Sequence, residues 1–264
     1  MARNSNGESV FSRMARLYEA FDPESPAITV SELSKRAGLP MPTVSRMVSE
    51  LVEHDWLLRD GDGRVRIGFR VWELVTRAGP TRNLCTIAMP CAGELHAHTG
   101  QHVCLGVRRG DEVLVVEKLT APGAAQTHPE DPRRLPLHGS STGLVLLANA
   151  SFEDQQGILG KALPAFTAHT PTSAKSLRLL LSEVRRSGFA VCAGFVNPAL
   201  TGVSVPVRSC QGEVVAALTV VMPNSAGVRS VIPRCVPPAP RSAGHWPSRA
   251  PPPRCRSPSI RARA

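Results

Sequence analysis

Apolar residues recur at helical spacing through the first 80 positions of the chain. Val10, Met14, Leu17 and Phe21 share one face of a helix predicted over 9–21, and Asp22, Pro23, Glu24, Ser25 and Pro26 break it. Thr29 and Glu32 fit a capping box at the start of a second helix. Leu33 and Ala37 face inward one turn apart there, and Gly38 supplies the left-handed stop. Pro42 suits the first turn of a third helix, where its missing N–H has no partner to lose. Val44, Met47, Val48, Leu51 and Val52 then form one buried stripe, opposite a polar face of Thr43, Ser45, Arg46, Ser49 and Glu50. A short polar face carrying one Arg, placed after a helix and a turn, is what a recognition helix presents to a DNA major groove.

Trp56-Leu57-Leu58-Arg59 reads as a strand, DGDG at 60–63 as a hairpin turn, and Arg64-Val65-Arg66-Ile67 as the returning strand. A helix-turn-helix followed by such a hairpin is a winged helix, with Arg64 and Arg66 placed at the wing tip to touch phosphate or the minor groove. Helical spacing resumes over 69–78, and Gly79-Pro80 marks a domain boundary. Beyond it the pattern predicts a helix over 83–98, interrupted or bent at Pro90, then strands at 102–108 and 112–119 around an Arg109-Gly110-Asp111 turn. A polar loop covers 121–134. Helices follow at 141–149, 152–159 and 173–187, and strands at about 189–193, 202–207 and 213–222. Helices alternating with antiparallel hairpins imply an α+β domain with one main sheet.

Charge changes the picture less than the total suggests. The formal net charge is +10. Residues 1–80, however, carry 11 Lys and Arg against 11 Asp and Glu, while residues 224–264 carry eight Arg and no acid. The excess sits in the tail and not on the predicted docking face, so the high overall charge is poor evidence for nucleic-acid binding. From Val231 onward the text is Pro, Arg, Ala and Ser without an apolar face, which predicts a disordered basic tail. No apolar run is long enough for a bilayer and no signal-peptide core opens the chain, which points to the cytoplasm and away from a membrane. Seven cysteines without a CxxC pair predict reduced, mostly buried thiols. His96, His98, His102 and Cys104 have a metal-like look, but His96 and His98 are two residues apart and do not share a helix face. No paired carboxylates, triad, metal set or Cys-centred signature stands out, so neither an enzyme nor a cofactor is expected.

TVSELSKRAGLPMPTVSRMVSELVEHDWLLRDGDGRVRIG at 29–68, LPLHGSSTGLVLLA at 135–148 and GFAVCAGFVNPALTGVSVPVRSCQGEVVAALTVVMP at 188–223 together resemble the isocitrate-lyase-regulator (IclR) family of bacterial transcription factors. The resemblance covers about residues 9–230. It implies a winged helix-turn-helix DNA-binding domain over 1–68, a linker helix over 69–82 and a GAF-like effector-binding domain over 83–230, with the basic tail at 231–264. Family members are dimers or tetramers on palindromic operators; most repress, and many sense small organic acids or aromatic compounds. Carried onto this chain, Thr43, Ser45 and Arg46 meet the operator. Leu135, Ser141 and Thr142 line the effector pocket, and Gly202 and Thr219 close it.

The chain departs from the family pattern in places that bear on ligand chemistry. Cys192-Ala193-Gly194 stands where an acidic run is common, Gly202 where some members have Cys, and the Pro/Arg tail where a final helix is expected. Loss of the acids makes the pocket more neutral and apolar, with Ser141, Thr142 and Thr219 left to hydrogen-bond a carboxylate or hydroxyl. The expectation is a DNA-binding regulator, a repressor in the commonest case, responsive to a small organic or aromatic acid. The tail text also fits a reading-frame shift near Val231. A non-specific nucleic-acid binder driven by the basic tail is the competing reading.

Overall fold

The computed structural model describes residues 8–22, 25–79, 82–120, 133–209 and 211–224. The predicted basic tail, the reading-frame question and nearly all of the 121–134 loop lie outside them. The chain divides into two compact units, Met1–Arg82 and Asn83–Ala264.

In the first unit α1 (Val10–Glu19) is capped by Ser9, whose hydroxyl accepts the Ser12 amide. α2 (Val30–Ala37) begins at Thr29 and stops at Gly38 with φ 61°. Only half of the predicted capping box forms. Thr29 Oγ1 accepts the Glu32 amide at 3.2 Å, but the Glu32 carboxylate pairs with Arg36 at 2.5 Å instead of reaching back. A guanidinium one turn away competes for the same oxygen. α3 (Met41–Glu53) carries Pro42 in its first turn and buries Val44, Met47 and Val48. These side chains close a core with Leu17, Ile28, Leu33, Leu57 and Val65. Arg16 of α1 donates to the Gly38 carbonyl at 2.7 Å and also to that of Ala37. A cation thereby sits on the carbonyl end of α2 and ties α1 to the turn.

The wing strands β1 (Leu57–Arg59) and β2 (Val65–Ile67) pair antiparallel. Ile28 bridges Val65 on the far side of β2, with bonds of 3.0 and 2.7 Å. The wing is therefore rooted in the segment that enters α2. α4 (Phe69–Ala78) follows and buries none of its residues.

The second unit is a six-stranded antiparallel sheet of β3 (His102–Arg109), β4 (Glu112–Leu119), β5 (Arg134–Pro136), β6 (Ala190–Ala193), β7 (Leu200–Arg208) and β8 (Val214–Pro223). Its order is β5-β4-β3-β8-β7-β6. α5 (Arg82–Thr99) runs through Pro90 as one helix and is not interrupted there. It packs Leu84, Ala88, Ala92 and Leu95 on one face of the sheet, against Val203, Val205, Leu218 and Val220. α6 (Ser141–Ala148), α7 (Phe152–Leu159) and α8 (Ala174–Ser187) cover the other. α6 lies between the sheet and α8 with all eight residues buried, which is why its sequence is apolar all round. Edge strand β5 starts at the last residue of the predicted 121–134 loop and is not among the predicted strands. Its Pro136 has no N–H for a ladder and is tolerated because β5 pairs with β4 alone.

Candidate DNA-binding face and effector pocket

Ser45, Arg46 and Ser49 are exposed on α3, and Thr43 is half-buried beside them. Ser49 Oγ donates to the Ser45 carbonyl at 3.1 Å, the usual back-bond of a helical serine. Among the described residues no acceptor holds the Arg46 guanidinium, so it can reach a base edge or phosphate without first breaking a bond. The wing arginines differ. Arg66 pairs with Asp60 at 3.2 Å, and Arg64 donates to the Ala27 carbonyl at 3.4 Å. Both side chains remain exposed, yet each has an internal acceptor that the sequence did not reveal.

Asp60 organises the wing turn. Its Oδ1 accepts the amides of Asp62 at 3.1 Å and Arg64 at 2.8 Å, while Oδ2 takes Arg66. Of the two glycines in DGDG only Gly63 has positive φ, at 76°. Desolvation pushes the Asp60 carboxyl up, but the Arg64 amide, the Arg66 guanidinium and the Asp62 amide outweigh it and hold the group below the usual carboxylate range. A depressed folded value means that the turn gains its support above the ordinary carboxylate range and loses it as pH falls through the depressed value. The Asp62 and Arg64 amide resonances are accordingly expected to titrate together at a midpoint below that of a free aspartate. A midpoint at or above the free value would contradict this geometry.

In the second unit, Leu135, Ser141, Thr142, Gly202 and Thr219 all line one cleft of about 60 Å3. Its floor is built from small residues on adjacent strands. Cys192, Gly202 and Val221 lie side by side across β6, β7 and β8; in the next row Thr219 lines the cleft, with Ser204 and Cys104 beside it on β7 and β3 but behind the wall. Small floor residues let α6 approach closely. A Cβ on Gly202 would stand 2.5 Å from Ser141 Oγ, and one on Gly106 would stand 2.7 Å from Thr142 Cγ2. Both distances are below contact, so a side chain at either position would force the Ser141 hydroxyl or the Thr142 methyl out of its place.

At this contact four buried hydroxyls form a chain. Thr142 Oγ1 lies 2.7 Å from Thr219 Oγ1, Thr219 lies 2.7 Å from Ser204 Oγ, and Ser204 donates to Ser141 Oγ at 2.7 Å. The sequence reading named three of the four. It missed Ser204, because a serine inside a strand carries no signature of a partner 63 residues away. Ser140 caps α6, accepting the Gly143 amide at 3.1 Å, and the cleft opens at this helix start. The roof comes from Phe195, Val196 and Asn197 in the β6–β7 loop. Among the described residues no acidic or basic side chain lines the cleft. Cys192 lies in its wall, and burial pushes the thiol well above its ordinary range, so it behaves there as a small apolar group.

Elsewhere the histidines and cysteines of HAHTGQHVC do not converge. His96 Nδ1 lies 2.7 Å from the Gln101 carbonyl and His98 Nδ1 lies 2.9 Å from that of Glu94. Among the described residues no cluster of metal-ligating side chains forms. None of the described helices is long and apolar enough to cross a membrane.

Comparison with known proteins gives these features a context. The family described as "Bacterial transcriptional regulator IclR C-terminal" matches residues 78–240, and the "IclR helix-turn-helix domain" matches residues 12–61. The chain belongs to the IclR family of bacterial transcriptional regulators. Among curated IclR-type relatives, the regulator XynR of Escherichia coli is 27% identical over 212 residues, 78% of this chain and 83% of that protein. The repressor AllR of Escherichia coli is 25% identical over 221 residues, 83% of this chain and 82% of its own. Among solved structures, an IclR homologue from Microbacterium hydrocarbonoxydans complexed with 4-hydroxybenzoate is 36% identical. It superposes with a TM-score of 0.80, over 86% of this chain and 94% of that one. As an IclR-type regulator the protein carries a helix-turn-helix DNA-binding domain, and its second unit carries the C-terminal domain of the family.

Proposed function

We propose that the protein is a dimeric repressor that reads a palindromic operator through α3 and responds to a small aromatic or organic acid held at the start of α6. The observation that carries the effector reading is the uncharged, hydroxyl-bearing cleft beside the α6 N-terminus. Such a site suits a carboxylate on an apolar body. The first-turn amides and the helix dipole face the anion, a hydroxyl adds a bond, and the apolar walls take the ring. A homologue 36% identical to this chain has been solved with 4-hydroxybenzoate, an acid of this type. At about 60 Å3 the cleft holds little more than two waters, so an aromatic acid requires the Phe195–Asn197 loop to give way. Ligand and operator then communicate only as far as the ligand favours the opened arrangement over the closed one.

Dimerisation is supported by α4. Phe69, Trp72 and Val75 stand 69%, 65% and 55% exposed along one stripe of that helix. A single chain leaves this stripe wet, and a second copy related by a two-fold axis would cover it. Two recognition helices would then enter major grooves about 34 Å apart. Thr43, Ser45, Arg46 and Ser49 are assigned to the groove, with Arg64 and Arg66 on the flanking backbone.

The test is footprinting of the purified protein on genomic fragments, with and without 4-hydroxybenzoate. Two protected half-sites one turn apart, whose protection the acid changes, are expected. Protection of random DNA to the same degree would overturn the reading. Arg46→Ala is expected to weaken the specific complex by about 1–3 kcal/mol and random DNA much less. Equal loss on both would make Arg46 a phosphate contact.

A further inference from the structure

We propose that Ser204, which contributes no wall to the cleft, sets the direction of the four-hydroxyl chain and makes Ser141 the hydroxyl that donates to an effector carboxylate. The inference rests on the reading of this cleft as a carboxylic-acid site.

A serine or threonine hydroxyl has one proton and two lone pairs. Ser204 directs its proton to Ser141. Its 2.7 Å contact with Thr219 must therefore be one that it receives, which commits the Thr219 proton. The 2.7 Å contact between Thr219 and Thr142 then takes its proton from Thr142. The order runs from Thr142 to Thr219 to Ser204 to Ser141, and Ser141 alone keeps an uncommitted proton. Ser140 adds no donor, since its hydroxyl already donates to the Pro136 carbonyl at 2.7 Å. Each bond in the series polarises the next, so the terminal Ser141 hydroxyl is a stronger donor than an isolated serine.

The consequence is a cleft with a polarity of its own. Ser141 gives a proton at the α6 start, and Thr142 and Thr219 present lone pairs only. A carboxylate fits the first and a hydroxyl on the same ligand fits the second. Ser204 can hold this order because it is fully buried, with no water to offer it another partner. Gly202 holds it sterically, since any side chain there would displace Ser141. Without the Ser204 oxygen, Ser141 loses its incoming bond and the Thr219 proton has only Thr142 left to accept it. The remaining Thr142–Thr219 bond can then run either way, and the Ser141 donor is left without the incoming bond that strengthened it.

Calorimetry of the full-length protein with benzoate and with benzamide tests the assignment, since the two differ in the group that would meet Ser141. The unaltered protein should prefer benzoate, and Ser204→Ala should reduce that preference by about threefold, the share of a charged hydrogen bond that an incoming bond adds, while operator affinity is unchanged. Ser204→Thr and Ser204→Val have matched shapes and differ only in the hydroxyl; Thr should retain the full preference and Val should reduce it as alanine does. Equal weakening of both ligands by Ser204→Ala, or identical behaviour of the Thr and Val variants, would overturn the proposal. A second readout needs no ligand. In NMR spectra of the free protein, the hydroxyl protons of Thr142, Thr219 and Ser204 should exchange slowly with water and that of Ser141 rapidly. A slow Ser141 with a fast Thr142 would overturn the direction even if benzoate binds. The expected order with no benzoate binding would instead overturn the aromatic-acid reading, and the role of Ser141 with it.

Discussion

Gly202→Val is expected to abolish the response to aromatic acids while leaving operator binding in place. The Cβ of any residue here would stand 2.5 Å from Ser141 Oγ, and valine adds two methyl groups to a cleft of about 60 Å3. Neighbouring strands place Cys192 on one side of Gly202 and Val221 on the other, so the added volume can go only toward α6. Ser141 must then leave the hydroxyl chain, and the ligand loses both its room and its donor. An affinity loss of at least about 100-fold follows, of which the charged hydrogen bond accounts for roughly tenfold and exclusion of the ring for the rest. Overpacking of this size costs about 1–3 kcal/mol, which a unit of this extent can bear. The variant should therefore bind its operator and stay bound when 4-hydroxybenzoate is added. Calorimetry and gel shift on the same preparation read the two halves of this expectation. Release from the operator at the unaltered ligand concentration would show that the effector binds elsewhere.

How far the sequence revealed these features depends on the range of the interaction concerned. Helix starts at Ser9 and Thr29 and the stop at Gly38 are local, and the residues that cause them lie within four positions of one another. The buried stripe of α3 was legible for the same reason. The second half of the capping box was not, because the contest between the Thr29 amide and Arg36 for the Glu32 carboxylate depends on side-chain geometry. Arg66 likewise looked free for phosphate until the turn placed Asp60 beside it. The cleft residues were reached through family resemblance, since no spacing rule joins Leu135 to Thr219. Ser204 belongs to neither class. It is not a motif position, and its meaning exists only after β7 and β8 pair and α6 crosses them. A polar residue in the middle of an apolar strand was the one available sign, because a buried hydroxyl requires a partner.

Leu33→Ala is expected to have the largest effect on stability. Leu33 is fully buried at the centre of the first unit, against Leu17, Val44, Leu57 and Val65. Removing a leucine side chain from such a site costs about 2–5 kcal/mol, the span reflecting how far the cavity collapses. A unit the size of Met1–Arg82 shifts its melting temperature by about 4–8 °C per kcal/mol, so a fall of roughly 8–40 °C is anticipated. Scanning calorimetry should show the transition of this unit moving down while that of Asn83–Ala264 holds its position. Operator binding should vanish at 37 °C and return on cooling, and benzoate binding should persist throughout. The contrast with Arg46→Ala separates packing from recognition within one motif. Arg46 is exposed and has no partner among the described residues, so its loss should leave the melting temperature unchanged and remove sequence preference alone. If Leu33→Ala bound operator normally at 37 °C, the helix-turn-helix core would not be what orients α3. If Arg46→Ala melted early, its side chain would be serving the fold and not the groove.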